Sequence, residues 1–246
     1  MTTNSHNKPK PFRPPSKRHQ PKGLSILYED RDILVVNKAC GILTVSNEKV
    51  REKTAYYLLT DYIRKGNSKS RNRLFIVHRL DRETSGVIVF AKTEEAKRYL
   101  QDNWQEFQKT YYALVEGTPP QQEGIITSYL VENEVHKMYS VKDPTRGKLA
   151  KTGYKVVKQA HGCSLLEINL LTGRKNQIRV HLSENGCPVV GDRKYGNKRV
   201  GSKRLALHAE SLTIRHPHSH EPMTFTADVP FYFASLMKTS RVESGR

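Results

Sequence analysis

A chain of 246 residues with 42 Lys and Arg against 24 Asp and Glu carries a formal charge of +18. That length buries a core without a metal or disulfide staple, and that surplus of cations calls for a polyanionic partner. Three cysteines (Cys40, Cys163 and Cys187) stand far apart with no CxxC spacing, which argues against a disulfide framework or zinc site and suits a reducing, cytoplasmic compartment.

Membranes fit the sequence poorly. No apolar run approaches the roughly 20 residues of a span, and the basic N-terminus is not followed by the apolar stretch of a secretory leader. No basic amphipathic helix with a bulky apolar face is evident, so nucleic acid is expected as the partner rather than a lipid surface.

Residues 1–22 hold six cations, no acid, five of the twelve prolines and one aromatic, Phe12. Such a composition cannot bury enough apolar surface to fold alone and is expected to form a disordered arm. The remaining 36 basic and 24 acidic residues leave the rest of the chain at +12, so the folded part is basic in its own right.

Leu24–Tyr28 and Ile33–Lys38 read as strands around the turn 29–32, and 42–45 as extended chain after a break at 39–41. Apolar spacing predicts a helix over 52–65, followed by a basic surface loop at 65–73. Phe75–Lys92 reads as two strands around a tight polar segment, Arg79-Leu80-Asp81-Arg82-Glu83-Thr84-Ser85-Gly86. A carboxylate flanked by guanidinium groups on a loop between rigid strands suits a nucleophile or base. Asp81 is equally able to cap the turn or to pair with Arg79 or Arg82 on a solvated rim.

Thr93 is placed to cap a helix, with Glu94 and Glu95 in its first turn and Ala96, Tyr99, Leu100, Trp104 and Phe107 expected in the core. Strands follow at 109–117, 124–131, 149–158 and 163–172, with an irregular basic stretch over 136–148. In the first of these, side-chain alternation sends Tyr111 and Tyr112 to opposite faces. Gly173 opens a predicted helix running to Asn185-Gly186, and Arg174, Lys175 and Arg179 near its start would form an anion site. A plain basic surface helix is the competing reading. Residues 191–196 form a glycine-bracketed loop, and 205–214 and 223–227 are late strands. His216-Pro217-His218-Ser219-His220 reads as a turn, since no thiolate or carboxylate at ligand spacing accompanies it; no metal is expected.

Several ordered motifs then resemble the RluA-type pseudouridine synthases over nearly all of residues 24–235. They are His-Arg-Leu-Asp-x-x-Thr-Ser-Gly at 78–86, Lys-x-Tyr-x-Ala-x-Val-x-Gly at 109–117, Thr-Gly-Arg-x-x-Gln-Ile-Arg-Val-His at 172–181, Gly-x-Pro at 186–188 and Gly-Asp-x-x-Tyr-Gly at 191–196, with Leu-x-Leu-His-Ala at 205–209. The resemblance implies an α+β fold: a mixed, largely antiparallel sheet with flanking helices and a central cleft, spanning 23–238 between the arm and a short tail at 239–246.

It also implies isomerisation of uridine to pseudouridine in ribosomal or transfer RNA, without cofactor; separately, a monomer is expected. The family's catalytic aspartate falls on Asp81, its active-site tyrosine on Tyr111 and the aspartate's basic partner on Arg179. Arg79, Arg174, Lys175, Asn176 and Gln177 are expected to contact RNA. Asn176 stands where the family often has His, exchanging a chargeable ring for a neutral amide. A non-catalytic RNA-binding or assembly protein of the same fold is the alternative, and the intact Asp81, Tyr111 and Arg179 set separates the two. A hydrolase pairing Asp81 with Glu83 is disfavoured, because the two sit in one loop rather than across a substrate.

Overall fold

The structure, a computed structural model, describes residues 12–46, 52–67, 69–196 and 204–239. Its strands are β1 Leu24–Glu29, β2 Ile33–Lys38, β3 Phe75–Ile76, β4 Ser85–Ala91, β5 Gln108–Glu116, β6 Glu123–Glu132, β7 Met138–Val141, β8 Lys148–Ala160, β9 Cys163–Leu170, β10 Leu207–Arg215 and β11 Pro222–Thr226. The helices are α1 Ala55–Arg64, α2 Glu94–Asp102, α3 Gln177–Glu184 and α4 Tyr232–Thr239. The strands form one sheet in the order β1-β2-β4-β10-β5-β9-β8-β6-β7, with β11 paired to β10 and β3 to β4.

Among the described residues every pairing between these strands but one is antiparallel. The exception joins β4 to β10 in parallel through Ser85 opposite His208 and Gly86 opposite Ala209. That joint brings the N-terminal strands against the C-terminal ones just where the Asp81 loop ends. All seven residues of β4 are buried, which is why it reads as a continuous apolar run rather than an alternating one. One face of the sheet packs on α1, α3 and α4 through Leu59, Ile63, Ile178, Leu182, Phe233 and Met237. The other packs on α2 through Ala96 and Leu100, together with Phe107.

Local signals act as expected at the Asp81 hairpin, where Phe75 and Ile76 pair with Ala91 and Phe90. Thr93 accepts a hydrogen bond from the Ala96 N–H at 3.1 Å and caps α2. Tyr111 is buried and Tyr112 half-buried on the opposite face.

The structure differs from the sequence reading in four places. Residues 12–22 are not a free arm: the Phe12 ring lies 5.4 Å from that of Tyr28, and the Gln20 side chain accepts from the Ile26 N–H at 2.7 Å. A short 3-10 turn spans Lys17–His19. Proline presets much of this extended path, so one aromatic and one amide suffice to dock it. Residues 1–11 of the expected arm lie outside the described residues, as do 240–246 of the tail. The basic stretch 136–148 contains β7, whose four residues are too few to display a period. The helix expected to open at Gly173 begins at Gln177. Finally, α4 follows Pro230 where no element was expected.

Gly86 is required by packing as well as by its φ of +116°. A Cβ there would lie 2.1 Å from the Ala209 carbonyl oxygen and 2.6 Å from its nitrogen. Neither backbone atom can retreat without breaking the parallel joint. Gly86→Ala is therefore expected to destabilise the fold by more than about 3 kcal/mol, read as a lower urea midpoint.

Candidate active site

The Asp81 loop is held from behind by backbone contacts. Thr44 Oγ1 donates to the Leu80 carbonyl at 2.8 Å and accepts the Leu80 N–H at 3.2 Å. The Thr84 N–H donates to the Asp81 carbonyl at 3.2 Å, closing the turn. Below it lies Lys38, fully buried at the end of β2, whose ammonium donates to the carbonyls of Ala39 (3.2 Å), Ile42 (2.9 Å) and Arg82 (3.3 Å). Burial lowers its pKa to about 8, although the charges of Cys40, Asp81 and Glu83 oppose the shift.

Asp81 points into a cleft lined by residues of its own loop, by Tyr111 of β5 and Leu207 of β10, and by Gly173, Arg174, Asn176, Gln177, Ile178 and Arg179 around the start of α3. One carboxylate oxygen, Oδ2, accepts from Arg179 Nη1 at 3.1 Å and from Asn176 Nδ2 at 2.6 Å. The remaining edge of the Arg179 guanidinium is spent on Asp192, as Nε to Oδ2 at 2.7 Å and Nη2 to Oδ1 at 2.8 Å.

Asp192 itself is buried. Its Oδ1 also accepts the N–H groups of Lys194 (2.9 Å) and Tyr195 (3.0 Å), which folds the 191–196 turn. In that turn a Cβ on Gly196 would meet the Asp192 carbonyl oxygen at 2.5 Å, which explains the closing glycine of the motif.

The electrostatics follow from this geometry. Burial opposes ionisation of Arg179, but its bonds to Asp192 and Asp81 more than offset that and hold the guanidinium charged above its ordinary range. For Asp192 burial acts upward, and Arg179 with the two backbone N–H groups brings the net shift below the ordinary 3.8. Burial, with the charge of Asp81 added, raises the Tyr111 phenol well above 10, so it is a neutral aromatic wall at physiological pH.

The residues expected to contact RNA fare unequally. Arg79 is exposed and lines the cleft mouth. Arg174 lines it too, with its Nε donating to the Leu149 carbonyl at 3.0 Å. Lys175 is exposed and ion-paired with Glu132. Asn176 is turned onto Asp81. Gln177 does not present its side chain to a ligand: it is 2% exposed. Its amide donates to the Lys151 carbonyl and Thr152 Oγ1 and accepts from Thr172 Oγ1 and the Arg174 N–H. A buried amide must satisfy these positions within the protein, so Gln177 anchors α3 to β8. Asp192 and Tyr195 lie in the Gly-Asp-x-x-Tyr-Gly motif, which by itself gives them no role, and Lys38 and Thr44 carry no local signal.

His181 belongs to the same buried network, with its ring nitrogens 2.9 Å from Ser128 Oγ and 2.9 Å from Thr152 Oγ1. Burial lowers its pKa from 6.5 to about 4. The unfolded chain therefore takes up this proton first, so the stabilisation is complete above pH 6.5 and is lost as pH falls toward 4. His78 and His208, also lowered by burial, act in the same direction. Stability is expected to drop by roughly 2–3 kcal/mol from His181 alone across that window. Thermal melts between pH 7 and 4 should show the fall, shallower in His181→Gln.

The histidine-rich turn joins β10 to β11; its His216 is buried, and the His220 ring lies 5.0 Å from that of Tyr99. His216 Nε2 lies 2.8 Å from Asp30 Oδ2, and its Nδ1 accepts the N–H groups of His218 and Ser219. Asp30, Asp32 and His216 bring three potential ligand atoms together. The Asp30 carboxylate also accepts from the Tyr28 hydroxyl and from the N–H groups of Asp32 and Ile33, so this cluster buckles the β1–β2 turn to β10.

A carboxylate gripped by a buried arginine in a cleft with an aromatic wall defines a class, and comparison with known proteins gives it a family. The model of the RNA pseudouridylate synthase family matches residues 32–184, and the chain belongs to that family. It is an RluA-type RNA pseudouridine synthase, an intramolecular isomerase.

Among its relatives is the dual-specificity RNA pseudouridine synthase RluA of Escherichia coli strain K12, 37% identical over 215 residues that cover 85% of this chain and 94% of that one. The ribosomal large subunit pseudouridine synthase C of Vibrio vulnificus strain CMCP6 is 33% identical over 225 residues, 88% of this chain and 69% of that one. Human RNA pseudouridylate synthase domain containing 4 shares the fold with a TM-score of 0.72 at 24% identity, covering 90% of this chain and 94% of that one. The human domain-containing 1 protein gives 0.68 at 27%, covering 89% and 87%. The mixed, mostly antiparallel sheet with its helices is thus the fold of this family.

Proposed function

We propose that the chain converts uridine to pseudouridine in ribosomal or transfer RNA, with Asp81 as the catalytic nucleophile or base. The observation that carries this is the Asp81 carboxylate, held at 3.1 Å by an arginine that is itself anchored on a buried aspartate, inside a cleft walled by Tyr111. The relatives' names, one of them a ribosomal large subunit pseudouridine synthase, support the substrate class. Residues 23–238 act as one catalytic unit in this reading.

The reaction breaks the N1–C1′ bond, turns the base and joins C5 to C1′, while C5 loses a proton and N1 gains one. Electrons balance without an oxidant or reductant. Asp81 must be ionised to attack C6 or C1′ or to take a ribose proton, and each of these routes uses the same carboxylate. Tyr111 offers a neutral face on which the uracil turns. A base in a helix is out of reach, so the nucleotide is flipped or taken from a loop at a cost of a few kcal/mol. Phosphate contacts from Arg79, Arg174 and Lys175 and the overall positive charge offset that cost.

The test is a map of pseudouridine at single-nucleotide resolution in bulk RNA from cells with and without this protein. A site present only with the protein names the target. Identical maps would shift the reading to an RNA-binding protein that retains the fold.

A further inference from the structure

Asn176 stands at the start of α3 in a left-handed backbone conformation (φ 52°, ψ 19°) and makes no capping bond to its own helix. An asparagine at that position ordinarily turns its side chain back onto the helix N–H groups. Here the side chain is aimed across the cleft, with Nδ2 2.6 Å from Asp81 Oδ2 and Oδ1 3.2 Å from the Tyr195 hydroxyl. Tyr195 in turn accepts the backbone N–H of Met138 on β7 at 3.0 Å.

The donors and acceptors in this chain allow one direction only. The Met138 N–H always donates, which turns the Tyr195 hydroxyl proton toward Asn176 Oδ1. The Asn176 amide is thereby oriented with its NH2 toward Asp81, and the opposite orientation would set an oxygen against a carboxylate at 2.6 Å. Two donors, from Asn176 and Arg179, thus converge on Oδ2, and no donor among the described residues meets Oδ1. Arg179 also lies over the Tyr195 ring, 5.3 Å from its centroid.

We infer that Asn176 and Tyr195 are positioning residues that keep Oδ2 of Asp81 as a pure acceptor and leave Oδ1 as the oxygen that acts on the nucleotide. This rests on the reading of Asp81 as the catalytic carboxylate. The groups that face Asp81 from the surrounding elements are Arg179 of α3, Tyr111 of β5, Lys38 of β2, and Lys194 and Tyr195 of the 191–196 turn. The charged ones persist in Asn176→Ala and Tyr195→Phe, so a change in kcat at constant KM reports the amide chain. Tyr195→Phe also retains the ring beneath Arg179 and removes the hydroxyl alone.

The experiment measures tritium release from C5-tritiated uridine in bulk ribosomal and transfer RNA transcripts, as kcat and KM against pH, for the full chain. Asn176→Ala and Tyr195→Phe are expected to lower kcat by roughly 10- to 100-fold, the size of a lost hydrogen bond to a charged group. KM and its salt dependence should stay unchanged. Asn176→Asp should lose more, because it sets a like charge against Asp81. A raised KM with unchanged kcat would mean that Asn176 contacts RNA and would overturn the inference. So would a lower kcat that falls in step with a lower melting temperature, the mark of a merely structural role. Asp81→Asn measured alongside separates the two levels. If it is inactive while both variants keep wild-type kcat, only this inference fails; if it stays active, the reading of Asp81 fails first.

Discussion

Asp81→Asn is expected to lower the rate of pseudouridine formation by at least about 10³-fold while the protein folds and binds RNA as before, the pattern of a lost catalytic group rather than of lost binding. The substitution preserves shape and one acceptor oxygen, but it replaces the carboxylate charge with an amide. Arg179 keeps Asp192 as its bidentate partner, so the guanidinium is not left unpaired. Asp81 is also the most exposed member of the triplet, its side chain 29% accessible against 10% for Arg179 and 0% for Asp192. Removing its charge therefore costs the fold little. Tritium release, a melting curve and RNA affinity on one preparation make the check. Activity retained within tenfold would remove Asp81 from the chemistry.

Asp192→Ala should do the opposite and strike stability first. It deletes a fully buried carboxylate that accepts two bonds from Arg179 and two from backbone N–H groups. Removing one partner of a buried pair strands the other, typically at about 3–5 kcal/mol. Activity is expected to fall with it, because Arg179 loses the anchor that aims it at Asp81. The lowered folded pKa of Asp192 sets the pH window. Its stabilisation is present above the ordinary value of 3.8 and is lost as the pH falls through the lower folded one, so wild type and variant should converge in stability at strongly acid pH. Urea titrations at pH 7 and near pH 2.5 would show a wide gap at the first and a narrow one at the second. An equal gap at both would mean that the ion pair is not what Asp192 supplies.

Much of the fold was legible because its signals are local. Thr93 and two following glutamates announce a capped helix whatever surrounds them, and the buried run of β4 bounded by turn residues announces a strand. The Asp81 loop stood out because an acid between two arginines, closed by Thr-Ser-Gly, is unusual within a few residues. What escaped was either too short or too dependent on distant partners. β7 has four residues and no readable period. The Phe12 to Gln20 segment has the composition of a free arm and is ordered by Tyr28 and Ile26, which its own residues do not reveal. Gln177 looked like a ligand contact because an amide beside cations suggests one; three protein segments use that amide instead.

The sequence by itself determined most of the elements, the basic character that favours RNA, and the motifs that carry the family membership, since each depends on residue type and short-range spacing. Only the tertiary structure decided how they combine. It joined β4 to β10 in parallel and so set Asp81 opposite Arg179, 98 positions along the chain. It gave Arg179 to Asp192, set the Asn176 amide on Asp81, and tied Tyr195 to β7. Those partnerships depend on where separate strands and turns meet, and a hydrogen bond of 3 Å is set by packing across the whole sheet, which no local stretch encodes.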